Sequence, residues 1–369
     1  MSVSRPPGLP AALPSDLVER LARGLHLAYV KRRAVDHETV TANPSMATWE
    51  RLPAYLQESN REAVRNTHLR LRVLGFALVP DDHPAPPVAP LELAPHVELL
   101  ARLGHIYWNN ERLALGWHQA EGSKDSAAHT HPSIVPWEAL SEVEQTKDRE
   151  QVMDLLALFI AAGWRLTRVP MDPDPQPPSE PAPAEVVYED APADAPGREL
   201  EALAEGLYRA RQPQRGWNGE GDAAPERWAL LSQGEQGLYR AAAWDFREQL
   251  EVLGYRVARA APIAPIYGEV SAAEFTQQVE ILAQLAHCRW LNGRLAEGWG
   301  PGPDDAAART HPHLAPWDQL PESERDRGRA QVRDLLRALA AGDLRLERYL
   351  PATAPGRKVG VPARPQRRV

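Results

Sequence analysis

Trp108 and Arg112 stand one helical turn apart in the chain, and Trp290 and Arg294 repeat the arrangement. Residues at i and i+4 share one side of a helix. An indole face can stack on a nucleobase, and a guanidinium can grip a phosphate with paired hydrogen bonds. The pair therefore suits a nucleotide. The competing reading is packing, with the arginine stem lying across the ring and its charged head in water. Both readings stand for these two tryptophans. Trp137 and Trp317, each beside a proline, read as core. His105 and His287 lie on an apolar helix face, where a hydrogen-bonded core histidine is favoured over a ligand contact.

Catalytic chemistry finds little support. His129 and His131 are two apart, as are His311 and His313, with no carboxylate at metal-ligand spacing. The chain has no Gly-x-Ser-x-Gly elbow, no P-loop and no Gly-x-Gly-x-x-Gly after a strand. Asp125 and Asp304-Asp305 sit in turn context, where aspartates cap their own backbone. Cys288 beside His287 is no nucleophile pair, because neighbours on a helix point about 100° apart. The expectation is a protein that is not an enzyme, with no cofactor and no metal.

The elements that carry these residues recur. VELLARLGHIYWNNERLALGW and VEILAQLAHCRWLNGRLAEGW begin two stretches about 180 residues apart, and both continue into Thr-His-Pro and Pro-Trp. A fainter pair matches LARGLHLAYV to LAEGLYRARQ, and Trp49-x-x-Leu52 to Trp228-x-x-Leu231. All four first helices place one apolar face at helical spacing: Val18 to Tyr29, Val97 to Trp108, Leu200 to Arg211, Val279 to Trp290. Each second helix meets a glycine (Gly75, Gly163, Gly254 or Gly342), as a left-handed helix terminus prefers. A short strand follows each, such as that starting at Trp164. Pro136 and Pro316 suit a helix start.

The spacing predicts a mainly α chain with short β segments: tandem two-helix repeats arranged as two duplicated domains. The repeats span 14–79 (diverged), 93–169, 199–260 (diverged) and 274–350, with a linker at 170–198 and a basic tail at 351–369. The linker holds nine prolines and seven acidic residues, which suggests two independently folded halves on a mobile tether.

Composition narrows the partners. A net charge of −8 argues against gripping a nucleic-acid backbone. A single cysteine forms no intramolecular disulfide and fits a reducing cytoplasm. No signal peptide is read, and the longest apolar run, Leu155 to Trp164, is too short for a membrane span.

The clear copies resemble the ryanodine-receptor (RyR) repeat. Its pattern is met by His105-x-x-Trp108, Arg112, Gly116-Trp117, Asp125, His131-Pro132 and Leu140-x-Glu142-x-Glu144. The second copy meets it with His287-x-x-Trp290, Arg294, Gly298-Trp299, Gly302-Pro303-Asp304-Asp305, His311-Pro312 and Leu320 to Arg325. The pattern's aromatic after Gly-Trp is missing in both copies, and the diverged copies lack the His-Pro step, although repeat 3 keeps Gly216-Trp217. The resemblance implies adenine-nucleotide or ADP-ribose-like binding by paired repeats, in a sensor without channel activity. On that basis Tyr29, Trp108, Arg112, Trp117 and Lys124 are the ligand-binding candidates of the first half, with Tyr29 and Trp108 flanking a base and Lys124 reaching a phosphate. Trp290, Arg294 and Trp299 are those of the second, where Arg211 opposes Trp290. The other class of function is a protein-interaction scaffold that presents helical surfaces to protein partners.

Overall fold

The computed structural model describes residues 10, 12–41, 43–170, 195–211, 228–259, 270 and 275–348. The expected linker, the tail and Gly216-Trp217 lie almost wholly outside the described residues, and the side chain of Arg211 does too. The chain is mainly helical with short strands. Helix α1 (Ser15–Val35) pairs with α2 (Ala54–Val73), followed by strand β1 (Phe76–Pro80). Helix α3 (Val97–Ala114) pairs with α4 (Glu142–Ala161), followed by β2 (Trp164–Arg168). The second half repeats the order. Helices α5 (Ala195–Arg211) and α6 (Gln233–Val252) lead to β3 (Tyr255–Arg259). Helices α7 (Val279–Ala296) and α8 (Glu322–Ala341) lead to β6 (Leu344–Arg348), with two-residue strands β4 (Gly300–Pro301) and β5 (Thr310–His311) in the intervening loop.

In the first and fourth helices the expected apolar stripes form the buried face. Leu17, Val18, Leu21, Ala22 and Leu25 form the buried face of α1. Val152, Leu155, Leu156 and Phe159 form that of α4, whose N-cap Ser141 accepts the Glu144 amide. Gly75, Gly163 and Gly254 take positive φ and end their helices as expected. The fourth terminus differs: Gly342 is an ordinary C-cap at φ −91°, and Asp343 takes the left-handed position at φ 53°. Aspartate tolerates that conformation through local hydrogen bonding. Pro136 and Pro316 start single 3-10 turns, Trp137–Ala139 and Trp317–Gln319, and the long helices begin later, after Ser141 and Pro321.

Strand pairing settles which helix pairs belong together. β1 lies antiparallel to β2, from Phe76 opposite Arg168 to Pro80 opposite Trp164. β3 lies antiparallel to β6 in the same register, Tyr255 opposite Arg348 and Arg259 opposite Leu344. The first helix pair is thus joined to the second, and the third to the fourth.

A side-chain clamp recurs in each helix pair. A glutamate near the start of the first helix meets an arginine of the second: Glu19 with Arg61, Glu98 with Arg149, Glu201 with Arg240, Glu280 with Arg329. The indole Nε1 of Trp137, Trp228 and Trp317 donates to the same glutamate, at 2.9–3.3 Å. Arg61, Arg149 and Arg240 also lie over the Trp49, Trp137 and Trp228 rings. The arginine holds each of these carboxyls below the usual carboxylate range.

The two halves do not stand apart as separate bodies. A continuous buried core runs through both. Asn110 Nδ2 donates to the Leu253 carbonyl at 2.6 Å, and Asn292 Nδ2 donates to the Leu74 carbonyl at 2.8 Å. Arg348 and Arg168 in turn donate to the amide oxygens of Asn110 and Asn292. The contact is its own mirror under exchange of the halves, the pattern of a two-fold interface. Gly75 and Gly254 permit it: a Cβ there would come within 2.8 Å of Asn292 Cβ and 3.0 Å of Asn110 Cβ. The expectation of tethered, separate halves weighed the proline content of the linker, which carries no information about the surfaces that pack.

Candidate functional site

A cavity of about 340 Å³ opens between the first two helix pairs, lined from α1, α2, α3, α4 and the loop after α3. All five first-half candidates, Tyr29, Trp108, Arg112, Trp117 and Lys124, line it. Helix α3 contributes Trp108 and Arg112 one turn apart, and the left-handed Gly116 then turns the chain so that Trp117 returns over the arginine. The Arg112 guanidinium lies 5.6 Å from the Trp108 ring and 5.5 Å from the Trp117 ring. It is 5 % exposed and donates to Ser59 Oγ at 3.2 Å. Lys124, exposed at the rim, stands over Trp117 at 5.7 Å and over Tyr55 at 5.8 Å. Such cation–aromatic contacts contribute about 0.5–2 kcal/mol each, more as water is excluded.

Tyr29 reaches the cavity from α1, and its hydroxyl accepts from Asn43 Nδ2 at 2.8 Å. His131 packs edge-on to Trp108 at 5.0 Å, and its Nδ1 accepts the Ser133 amide. Burial, followed by the nearby Lys124 and Arg112 charges, depresses His131 to about 4. It is therefore neutral at ordinary pH. His105, as expected for a core histidine, meets the Val135 carbonyl at 2.8 Å, and His287 meets the Ala315 carbonyl at 2.7 Å.

The facing wall comes from α2, which the sequence reading passed over. Tyr55, Ser59, Glu62, Asn66 and Arg70 recur at helical spacing, and all but Tyr55 line the cavity. Tyr107 donates to Glu62 at 3.2 Å, and Arg65 pairs with the same carboxylate. Glu111, on α3, is 7 % exposed, with Arg112 as its charged neighbour at 3.9 Å. Burial raises the Glu62 and Glu111 carboxyls above the ordinary range. Arg70 is buried at the floor and donates to the Leu100 carbonyl at 2.7 Å. Desolvation pushes its guanidinium down to about 10. Gly104 makes room for it, since a Cβ there would collide with the Arg70 guanidinium.

The second half keeps one wall only. Trp290 packs on His311 at 5.1 Å, and Arg294 lies 4.8 Å from the Trp299 ring, so these three candidates do gather. Arg294 is paired with Glu297 at 3.2 Å. The facing positions on α6 are Gly234, Leu238, Ala241, Asp245 and Gln249, where α2 has Tyr55, Ser59, Glu62, Asn66 and Arg70. Asp304 stands where the first half has Lys124. The acids of the loops serve their own turns, since Asp125 and Asp305 each accept two backbone amides at 2.8 and 3.0 Å.

The fold is thus a duplicated helix-pair architecture with a polar, aromatic-lined cleft in its first half. Residues 89–168 and 270–348 each match the RyR domain model, so the chain carries two RyR-domain regions. The first two-helix unit of each half lies outside the matches, so the cleft is built from one matched region and one diverged partner. No curated protein matches the chain. Among the described residues no helix is long and apolar enough to cross a membrane.

Proposed function

We propose that the cleft between α1, α2, α3 and α4 binds a nucleotide or an ADP-ribose-like ligand, and that the protein is a ligand sensor rather than an enzyme. One observation carries the reading: an aromatic wall and two cations, Arg112 and Lys124, converge on a single cavity. Aromatic faces accept a base, and the cations accept a phosphate. Its volume of about 340 Å³ suits a mononucleotide-sized ligand, at the small end of the roughly 300–1,000 Å³ typical of ligand pockets. A reducing, cytoplasmic setting accords with the buried free thiol of Cys288, which burial pushes up to about 12 and so keeps unreactive.

The test is a thermal-shift and calorimetric screen of the full chain with AMP, ADP, ATP, NAD and ADP-ribose. A ligand of the folded state raises apparent stability, by about 2.7 kcal/mol at a hundred times its Kd. The reading expects a saturable rise with at least one of them. No rise with any of the five at millimolar concentration overturns it and favours the scaffold role.

A further inference from the structure

Two carboxylates, Glu62 and Glu111, lie in the inner part of the cleft, each only 7 % exposed. Carboxylates accept hydrogen bonds and donate none, and burying one without donors is costly. Glu62 is compensated by Arg65 and Tyr107. Glu111 is less so: among the described residues its carboxylate makes no hydrogen bond, and its ion pair with Arg112 is long, at 3.9 Å. Beside them, the buried amide of Asn66 has no partner for its oxygen or for its nitrogen. Folding alone gives no reason to leave these groups unsatisfied at a cavity wall. The second half, which lacks that wall, has Gly293, Ala241 and Asp245 at the matching positions, with Asp245 paired to Arg289.

We infer that Glu111, supported by Glu62 and Asn66, reads the sugar hydroxyls of the ligand, so that the cleft selects a ribonucleotide unit over its deoxy counterpart. The inference rests on the nucleotide reading above. Two adjacent hydroxyls can donate to the two oxygens of one carboxylate, the device that dinucleotide-binding folds use on ribose. The neighbouring positions of Glu111 and Arg112 fit a ligand whose hydroxyls and phosphate are joined by few bonds, as in a ribose 5-phosphate unit. A site built to accept a hydroxyl's hydrogen bond discriminates strongly against the analogue lacking it, because the buried acceptor is then left unpaired.

Calorimetry on the full chain tests this with ADP, ADP-ribose, 2′-deoxy-ADP and 3′-deoxy-ADP, for the unaltered protein and for Glu111→Gln. The expected result is at least tenfold weaker binding of a deoxy analogue to the unaltered protein, with that ratio collapsing toward one in Glu111→Gln. The substitution is nearly isosteric and removes a buried charge held only by a long ion pair to Arg112, so its melting temperature should stay at or above that of the parent. Equal affinity of the unaltered protein for ADP and both deoxy analogues overturns the sugar role while the nucleotide reading survives. Binding of none of the four probes overturns the sugar role, and overturns the nucleotide reading too when AMP, ATP and NAD also fail to bind. Should Glu111→Gln fail to fold, Glu62→Gln takes its place, and the ratio measured on the unaltered protein already decides. Binding of an amine such as spermidine that is lost in Glu111→Gln, without ribose discrimination, shows the carboxylates to be a cation site and overturns the inference.

Discussion

Trp108 and Arg112 could be found in the sequence because helical geometry converts a spacing of four into adjacency, with no knowledge of the rest of the fold. Tyr55, Ser59, Glu62 and Asn66 could not, because polar residues on one helix face read equally well as a solvated surface. What makes them a wall is α2 facing α3, a relation between elements that spacing does not encode. The same limit hid Glu111, which sits beside Arg112 in sequence and looks like half of an ordinary surface ion pair. If the cleft holds a base, Trp108→Ala should weaken binding about tenfold or more, since stacking contributes about 1–3 kcal/mol per base. The circular dichroism of the variant should remain that of the parent; loss of fold instead would mark Trp108 as packing. His131 supplies a pH prediction. Its folded value, about 4, lies below the unfolded value of 6.5, so the unfolded chain binds more protons between the two. The stability it contributes is complete above pH 6.5 and is lost as pH falls toward 4. Burial likewise lowers His96 and His287, with the same sign. Urea midpoints should therefore drop between pH 7 and 4.5, and His131→Gln should flatten part of that slope. A slope unchanged by the substitution would count against the desolvated, neutral imidazole.

The helix pairs themselves were readable because their signals are local: apolar stripes at 3.6-residue spacing and glycines where a helix must turn left-handed. The clamp of glutamate, arginine and tryptophan was not readable. Its glutamate and arginine are separated by 39 to 51 residues, and each alone resembles surface charge. Once placed, the clamp explains why Trp137, Trp228 and Trp317 recur: each indole is buried with its N–H satisfied by the glutamate that the arginine orients. Trp317→Ala should cost about 3–5 kcal/mol, as expected for deletion of a buried tryptophan. Glu280→Gln should cost about 1 kcal/mol or less, because its pairing with Arg329 is largely at the surface. Denaturant titration of the two variants measures the difference, and comparable costs would move the weight from packing to charge. The α2–α3 crossing offers a sharper case. Arg70 reaches the Leu100 carbonyl only because Gly104 has no Cβ. Gly104→Ala forces the guanidinium aside and should destabilise by about 1–3 kcal/mol, the usual range for overpacking. The matching pair in the second half is Ala286 with Gln249, so the methyl is tolerated there because no guanidinium has to pass.

Across the whole molecule the duplication has had two consequences. One is divergence: the cleft's facing wall survives on α2 and is absent from α6, so the nucleotide reading expects one ligand per chain. The other is a joint that uses the duplication. Each half presents an asparagine near the end of a helix, Asn110 or Asn292, to a carbonyl just before the other half's left-handed glycine. Both asparagines are almost fully buried, and each is oriented by an arginine from a terminal strand of one half or the other, Arg348 for Asn110 and Arg168 for Asn292. Buried polar pairs of this kind give little net stability when made but are expensive to break, about 1–3 kcal/mol for each group left unsatisfied. Asn110→Leu therefore strands the Leu253 carbonyl, and Asn292→Leu strands that of Leu74. Because one continuous core joins the halves, either change should lower a single unfolding transition rather than melt one half alone. Combining the two should loosen the halves enough to split the transition in calorimetry. A protease site engineered within residues 171–194 gives an independent reading: after cleavage the two fragments should still elute together by size exclusion, and should separate only when both asparagines are replaced. Fragments that separate with both asparagines intact would restore the arrangement of two tethered bodies and leave the asparagines as incidental neighbours.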